Sequence, residues 1–230
     1  MSIRFLGLIP AAGHGWRMGA DAPKQYLRLG SQTLLEHSVR ALMSDPRVAR
    51  VLIVIAPGDQ RAGTLSLPRG VSLAAVGGSS RAESVRNGLR ALASEAQAHD
   101  RVLVHDAARP CLLAADLSAL IDAVGTLESG GLLATPVADT LKRVLGSEVI
   151  ETLDRSAVWR AQTPQLFPFG VLQRALECDV DLQTLTDESS AVERIGIKPQ
   201  VVGGRGANLK VTTPADWPLA EAALKAQGRW

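Results

Sequence analysis

The chain is poor in the residues that announce several large protein classes. Its two cysteines, Cys111 and Cys178, are too few and too far apart for a disulfide framework or a metal-spaced pair. Four histidines without clustered spacing make no case for a zinc site. Aromatic residues are only 3%, with a single Tyr, which argues against a base-stacking platform for single strands. Neither sign of charge dominates: 25 Lys and Arg face 23 Asp and Glu, a net of +2. No global field then drives non-specific nucleic-acid binding. No apolar run approaches the roughly 20 residues that span a bilayer. The apolar start, Met1 to Leu8, breaks at Gly7 and Pro10 and is too short for a signal-peptide core. A cytoplasmic protein with no nucleic-acid or membrane partner is expected.

What is present is a 46% hydrophobic chain of 230 residues, enough for a packed core and for one large domain. Short runs rich in Val, Ile and Leu read as strands: Ile3–Ile9, Val51–Ala56, Val71–Val76, Val102–Val104 and Leu132–Val137. Runs apolar on both faces suit a parallel sheet covered by helices on each side. Helical spacing lies between them. Thr33 to Ser44 carries Leu35, Val39 and Leu42 behind a Thr33–Glu36 capping box, and Ser80 to about Ser94 carries Val85, Leu89 and Leu92 behind a Ser80–Glu83 box. Leu113 to Glu128 and Pro168 to Glu177 read as further helices. Thr213-Pro214-Ala215-Asp216 reads as a cap, a Pro at the first position and an acid at the third. The alternation predicts an α/β doubly wound, mostly parallel sheet of Rossmann type within a single domain spanning 1–230. Asp139 to Ala161 breaks the rhythm, with two or three strands and a Gly146 turn but no helix. It predicts a protruding β-arm that needs a partner to bury its apolar face.

Three segments could carry chemistry. Pro10-Ala11-Ala12-Gly13-His14-Gly15-Trp16-Arg17-Met18 follows the first strand, where ligands of open parallel sheets sit. Its small residues let backbone N–H groups approach an anion. Arg17 and Lys24 add cations, and residues 1–30 hold Arg4, Arg17, Lys24 and Arg28 against Asp21 alone. It is neither a dinucleotide fingerprint nor a Walker loop, so it reads as a phosphate loop or as an ordinary strand–helix turn. His105-Asp106-Ala107-Ala108-Arg109-Pro110 ends a strand, which suits Asp106 either to a divalent cation or sugar hydroxyl or to a helix cap. Lys210, in what reads as a late strand Asn208–Thr212, matters only if its end of the sheet is the end carrying Arg17, Lys24 and Asp106. Cations in excess, with no apparent base or nucleophile, fit phosphoryl or nucleotidyl transfer, where a protein positions groups and stabilises charge.

Pro10-Ala11-Ala12-Gly13-x-Gly15-x-Arg17-Met18 followed by Pro23-Lys24-Gln25-Tyr26 resembles the signature loop of the cytidylyltransferases that act on sugar-alcohol phosphates. The resemblance continues through Gly77-Gly78, Arg81-x-x-Ser84-Val85, Val104 to Pro110, Asp139-Thr140-x-Lys142, Gln162-Thr163-Pro164-Gln165, Thr186-Asp187-Glu188 and Asn208 to Thr212, and so spans essentially the whole chain in order. It implies that CTP lies over Ala11, Ala12, Gly13 and Gly15, its cytosine read by Ala11, Ala12, Gly78 and Ser84, with Asp106 at the ribose or metal. Arg17, Lys24 and Lys210 would stabilise charge on the reacting phosphorus, and Mg²⁺ would ride mainly on the phosphates, with no protein ligand assigned. Asp106, Arg109, Thr140, Arg155, Thr163 and Thr186 would bind the acceptor, a methylerythritol phosphate or else a ribitol phosphate. Arg155 is also counted among the catalytic residues, and the arm would exchange across a homodimer. Three departures stand out: Trp16 stands where many members carry a basic residue, Ser79 replaces an acid that touches cytosine in some members, and Ser190 replaces a small apolar residue.

Overall fold

The computed structural model describes residues 3–13, 22–178 and 181–230. Its framework is a seven-stranded sheet. The strands in it are β1 (Phe5–Pro10), β4 (Val48–Val54), β5 (Val71–Ala74), β6 (Arg101–Val104), β7 (Gly131–Pro136), β10 (Trp159–Pro168) and β11 (Gln200–Gly203), in the order β11-β7-β10-β6-β1-β4-β5. Pairings are parallel except where β10 runs antiparallel to both β6 and β7. The expected mostly parallel, doubly wound sheet is what forms.

The helices are α1 (Leu34–Leu42), α2 (Arg81–Leu92), α3 (Ala114–Val124), α4 (Phe169–Glu177), α5 (Glu188–Arg194) and α6 (Asp216–Ala226). Successive strand residues point to opposite faces, so each strand feeds two cores. Ile9, Ile53 and Leu103 pack under α1 and α3 through Leu35, Val39, Leu117 and Leu120. Leu8, Val54, Val102 and Val104 pack under α2 and α4 through Val85, Leu89 and Leu172. A third cluster, with Leu29, Leu34, Val211, Ala220 and Leu224, seats α6 beside the short pair β2 (Arg28–Leu29) and β3 (Gln32–Thr33).

Local chemistry sets the helix starts. Thr33 caps α1 in a full box: its hydroxyl accepts from Glu36 N, and Glu36 Oε2 accepts from Thr33 N at 2.7 Å. α2 has half a box. Ser80 accepts from Glu83 N, but the Glu83 carboxylate turns to the backbone N–H and hydroxyl of Ser79, both at 2.7 Å. The expected Thr213 cap is not made. Residues 213–215 form a turn, α6 begins at Asp216, and the Asp216 carboxylate instead accepts from the N–H and hydroxyl of Thr212 and Thr213. A carboxylate with two oxygens can serve more donors than a hydroxyl, and so takes the role over.

Two expectations need correction, and one strand was missed. The arm is a detached hairpin of β8 (Leu141–Leu145) and β9 (Glu148–Leu153), and the return strand beginning at Trp159 is not part of it. That strand continues to Pro168 inside the main sheet, between β7 and β6. Asn208–Thr212 is not a strand: it is held by single bonds such as Val211 N to Ala108 O at 2.8 Å, not by a ladder. The strand present in that region is β11, and it was not expected.

Candidate active site

The topology reverses direction beside β1, with β4 and β5 on one side and β6 on the other, and the crevice at such a switch point is where open α/β sheets bind ligands. A cavity of about 480 Å³ opens there. One wall is Pro10 to Gly13 after β1 and another is Gly78 to Arg81 with Ser84 at the start of α2. Asp106 to Ala108 after β6, Lys24, Gln25, Lys210 and Thr212 complete it.

Backbone hydrogen bonds lock these loops together. Ala11 N donates to Val54 O at 2.7 Å, Ile55 N to Ala74 O at 2.9 Å and Gly77 N to Ile55 O at 2.9 Å. Gly77 permits this closeness, since a Cβ there would lie 2.2 Å from the Ala12 methyl and 2.8 Å from Ile55 O. Gln25 is buried and donates through Nε2 to Ala11 O at 2.7 Å and Gly13 O at 2.9 Å. Two loop carbonyls are thereby tied back behind the wall. Gly78 N donates to Ser84 Oγ at 3.1 Å, and that hydroxyl donates to Ser80 O at 2.9 Å.

Asp106 is the electrostatic centre. Its Oδ1 accepts from Arg81 Nε at 2.8 Å, and its Oδ2 accepts from Lys210 Nζ at 2.9 Å and from Arg109 Nε at 3.4 Å. Burial works to raise its pKa, but the charges of Arg81, Lys210 and Arg109 outweigh that and hold the carboxyl far below the usual range. It is therefore a fixed anion and a very poor proton acceptor. Arg81 also makes a bidentate pair with buried Glu188, at 2.6 and 3.1 Å. Burial lifts the Glu188 carboxyl above its usual range, against the pull of Arg81. Three cations thus face two carboxylates. Lys24 also lines the cavity and donates through Nζ to Val211 O at 2.9 Å, one residue from Lys210.

Behind the wall, Thr163 Oγ1 accepts from Asp106 N and meets His105 Nδ1, both at 3.0 Å, and His105 Nε2 lies 3.1 Å from Arg109 O. The consistent assignment has the Thr163 hydroxyl donating to Nδ1 and Nε2–H donating to the carbonyl. Burial lowers the His105 pKa to about 4, so the ring is neutral.

Of the residues singled out in the sequence, Ala11, Ala12, Gly13, Lys24, Gly78, Ser84, Asp106 and Lys210 share the cavity wall. Gly15 and Arg17 lie outside the described residues. Arg109 and Thr163 stand behind Asp106 and do not line the cavity. Thr186 lines a separate hollow with Asp187, Ser189 and Trp159. Thr140 and Arg155, which flank the hairpin, are exposed and do not line the cavity of their own chain. Ser79 contributes its N–H and hydroxyl to Glu83, and Ser190 caps α5 with Asp187. Gln25, Arg81 and Glu188 appeared in the sequence motifs but were not assigned roles. One signal was available: a cation at the first position of a helix opposes the helix dipole, so Arg81 needed carboxylates nearby.

No group of three or more His, Cys, Asp or Glu side chains able to hold a metal occurs among the described residues. No helix among them is long and apolar enough to cross a membrane.

The family described as 2-C-methyl-D-erythritol 4-phosphate cytidylyltransferase matches residues 5–226. The protein of that name from Laribacter hongkongensis is 53% identical over 224 residues, covering 96% of each chain. A crystal structure described as 4-diphosphocytidyl-2C-methyl-D-erythritol synthase superposes with a TM-score of 0.86 at 41% identity, covering 97% of this chain and 99% of that one. The Francisella tularensis 2-C-methyl-D-erythritol 4-phosphate cytidylyltransferase superposes at 0.83 with 33% identity, over 96% and 100%.

Proposed function

This chain belongs to the 2-C-methyl-D-erythritol 4-phosphate cytidylyltransferase family, and we infer that it transfers a cytidylyl group from CTP to 2-C-methyl-D-erythritol 4-phosphate, releasing pyrophosphate, in isoprenoid biosynthesis. The observation that carries the site reading is the convergence of Lys24 and Lys210 on one cavity whose far wall is the backbone of Ala11 to Gly13.

The triphosphate lies between that backbone and the two ammonium groups; the contribution of Arg17 rests on the sequence resemblance alone. Cytosine packs toward Gly78 and Ser84 on the cavity wall. The acceptor's phosphate oxygen attacks the α-phosphorus in line, the bond to the bridging oxygen breaks, and pyrophosphate leaves. A phosphate is already ionised near neutral pH, so the step needs no general base. Asp106, its charge committed to three cations, is suited to orienting Lys210 and not to moving a proton. Mg²⁺ would be a passenger of CTP: among the described residues Asp106 is the one acidic side chain on the cavity wall, and both its oxygens are engaged. When bound, the ion would supply charge neutralisation along the phosphates.

The acceptor pocket is completed by a second copy of the chain, whose arm brings Thr140 and Arg155 to Arg109, Thr163 and Thr186. Exposed apolar residues on the hairpin, with Leu145 at 75% and Val149 at 60% exposure, support this reading. Two free thiols suit a reducing cytoplasm.

The experiment is pyrophosphate release from CTP and Mg²⁺ with 2-C-methyl-D-erythritol 4-phosphate, run beside ribitol 5-phosphate. Higher kcat/KM for the first acceptor is expected, and the reverse would reassign it. Lys24→Ala should fold normally and lose about 10²–10³ in turnover. Near-normal rates would remove Lys24 from the phosphates.

A further inference from the structure

Lys210 projects from a stretch of chain, 204–215, that has no regular secondary structure, and its side chain is 40% exposed. A lysine carries about 2 kcal/mol of rotamer entropy. Something must aim its ammonium, and the ion pair with Asp106 does so. Asp106 in turn is oriented by Arg81 on its other oxygen, and Arg81 by both oxygens of Glu188.

The far end of this chain of contacts is anchored to the sheet. Glu188 is the first residue of α5, and its neighbours on both sides are fastened to β10 by one side chain. Gln165 Nε2 donates to Asp187 Oδ2 at 2.9 Å, and Gln165 Oε1 accepts from Ser189 N at 2.8 Å. The Asp187–Ser190 capping box fixes the same turn. The contacts therefore close a ring from β10 through α5, Arg81 on α2 and Asp106 back to β6, which is hydrogen-bonded to β10. Glu188 does not line the cavity. Buried ion pairs add little net stability, because desolvation offsets attraction, so holding the fold is a weak account of three elements meeting on one guanidinium.

We propose that Glu188 is a positioning residue for the transfer: through Arg81 and Asp106 it holds the Lys210 ammonium where the α-phosphate reacts. This rests on the reading of Lys210 given above.

The test is a double-mutant cycle on full-length protein with Glu188→Gln and Lys210→Met, assayed by kcat and by KM for CTP, with thermal unfolding as the folding control. Lys210→Met should lose at least about a hundredfold in kcat. Glu188→Gln should lose about ten- to a hundredfold in kcat with KM for CTP changed less. The double variant should be no slower than Lys210→Met alone, because both changes remove the same interaction. Glu188→Asp should recover part of the loss. Multiplicative losses, or Glu188→Gln at wild-type kcat while Lys210→Met is impaired, would overturn the role of Glu188 and leave that of Lys210. Wild-type turnover in Lys210→Met would sink the reading of Lys210 itself. If Glu188→Gln fails to fold, Arg81→Lys takes its place in the cycle. If neither folds, the contacts are a scaffold and the proposal fails.

Discussion

His105 shows how one residue next to the chemistry sets a condition on the whole fold. Its ring is fully buried, and both nitrogens are committed to holding the loop that carries Asp106. The folded protein keeps it neutral down to about pH 4, whereas an unfolded chain protonates near 6.5. As pH falls from 6.5 to 4, the unfolded state takes up a proton that the folded state refuses, so stability falls through that window. The loss from this group alone is about 3 kcal/mol, and His37, whose pKa burial also lowers, acts in the same direction. Denaturant midpoints between pH 7 and 4 should fall accordingly, and His105→Gln should flatten the profile. A wild-type profile flat to pH 4 would contradict this. The residues around His105 were unequally legible. Asp106 was readable from the sequence as a charge at the end of an apolar run, Lys24 from the local excess of cations, and Lys210 through the family resemblance. Gln25 and Glu188 were not, because a polar residue beside a helix start reads equally as a cap, a solvated side chain or a buried tether, and only the partner across the fold decides.

Among the elements, α2 lies so close to the sheet that its middle has room for no side chain. A Cβ on Gly88 would lie 2.6 Å from a Val54 methyl and 2.8 Å from Leu8 Cδ1, both fully buried. Replacing Gly in a helix gains at most about 1 kcal/mol of propensity, while overpacking costs about 1–3 kcal/mol. Gly88→Val should therefore lower stability, by about 2 kcal/mol in chemical denaturation, and an unchanged midpoint would show that the helix can back away. The strands divide by chemistry in the same manner. β1, β4 and β6 are apolar on both faces and were legible as runs. The inner part of β10, Gln162-Thr163-Pro164-Gln165, is polar yet buried, since its side chains tie Asp106, Asn208 and α5 to the sheet. It has no periodicity to betray a strand. Asn208–Thr212 errs the other way: its alternation imitates a strand, while its backbone is bound to loops and its lysine to Asp106.

For the whole molecule, the hairpin is where the proposed second copy would bind. Val144 pairs with Val149 on it, at 57% and 60% exposure, and an isolated two-stranded ribbon is marginal in water. With Val144→Glu and Val149→Glu together, sedimentation should show monomers and turnover should collapse, while CTP still binds, because the cavity is built within one chain. A variant that stays dimeric, or a fully active monomer, would reject the exchanged arm.

The hydrogen bonds that tie the loops after β1, β4 and β5 give the cleft a further property. β5 is the last strand of the sheet, with β4 as its sole neighbour, and the chain leaving it forms the wall at Gly77 and Gly78. Fraying of that margin and widening of the cleft are the same movement. A nucleotide seated there, as proposed, would bind across that edge, so a change that loosened the margin would weaken the grip from a distance.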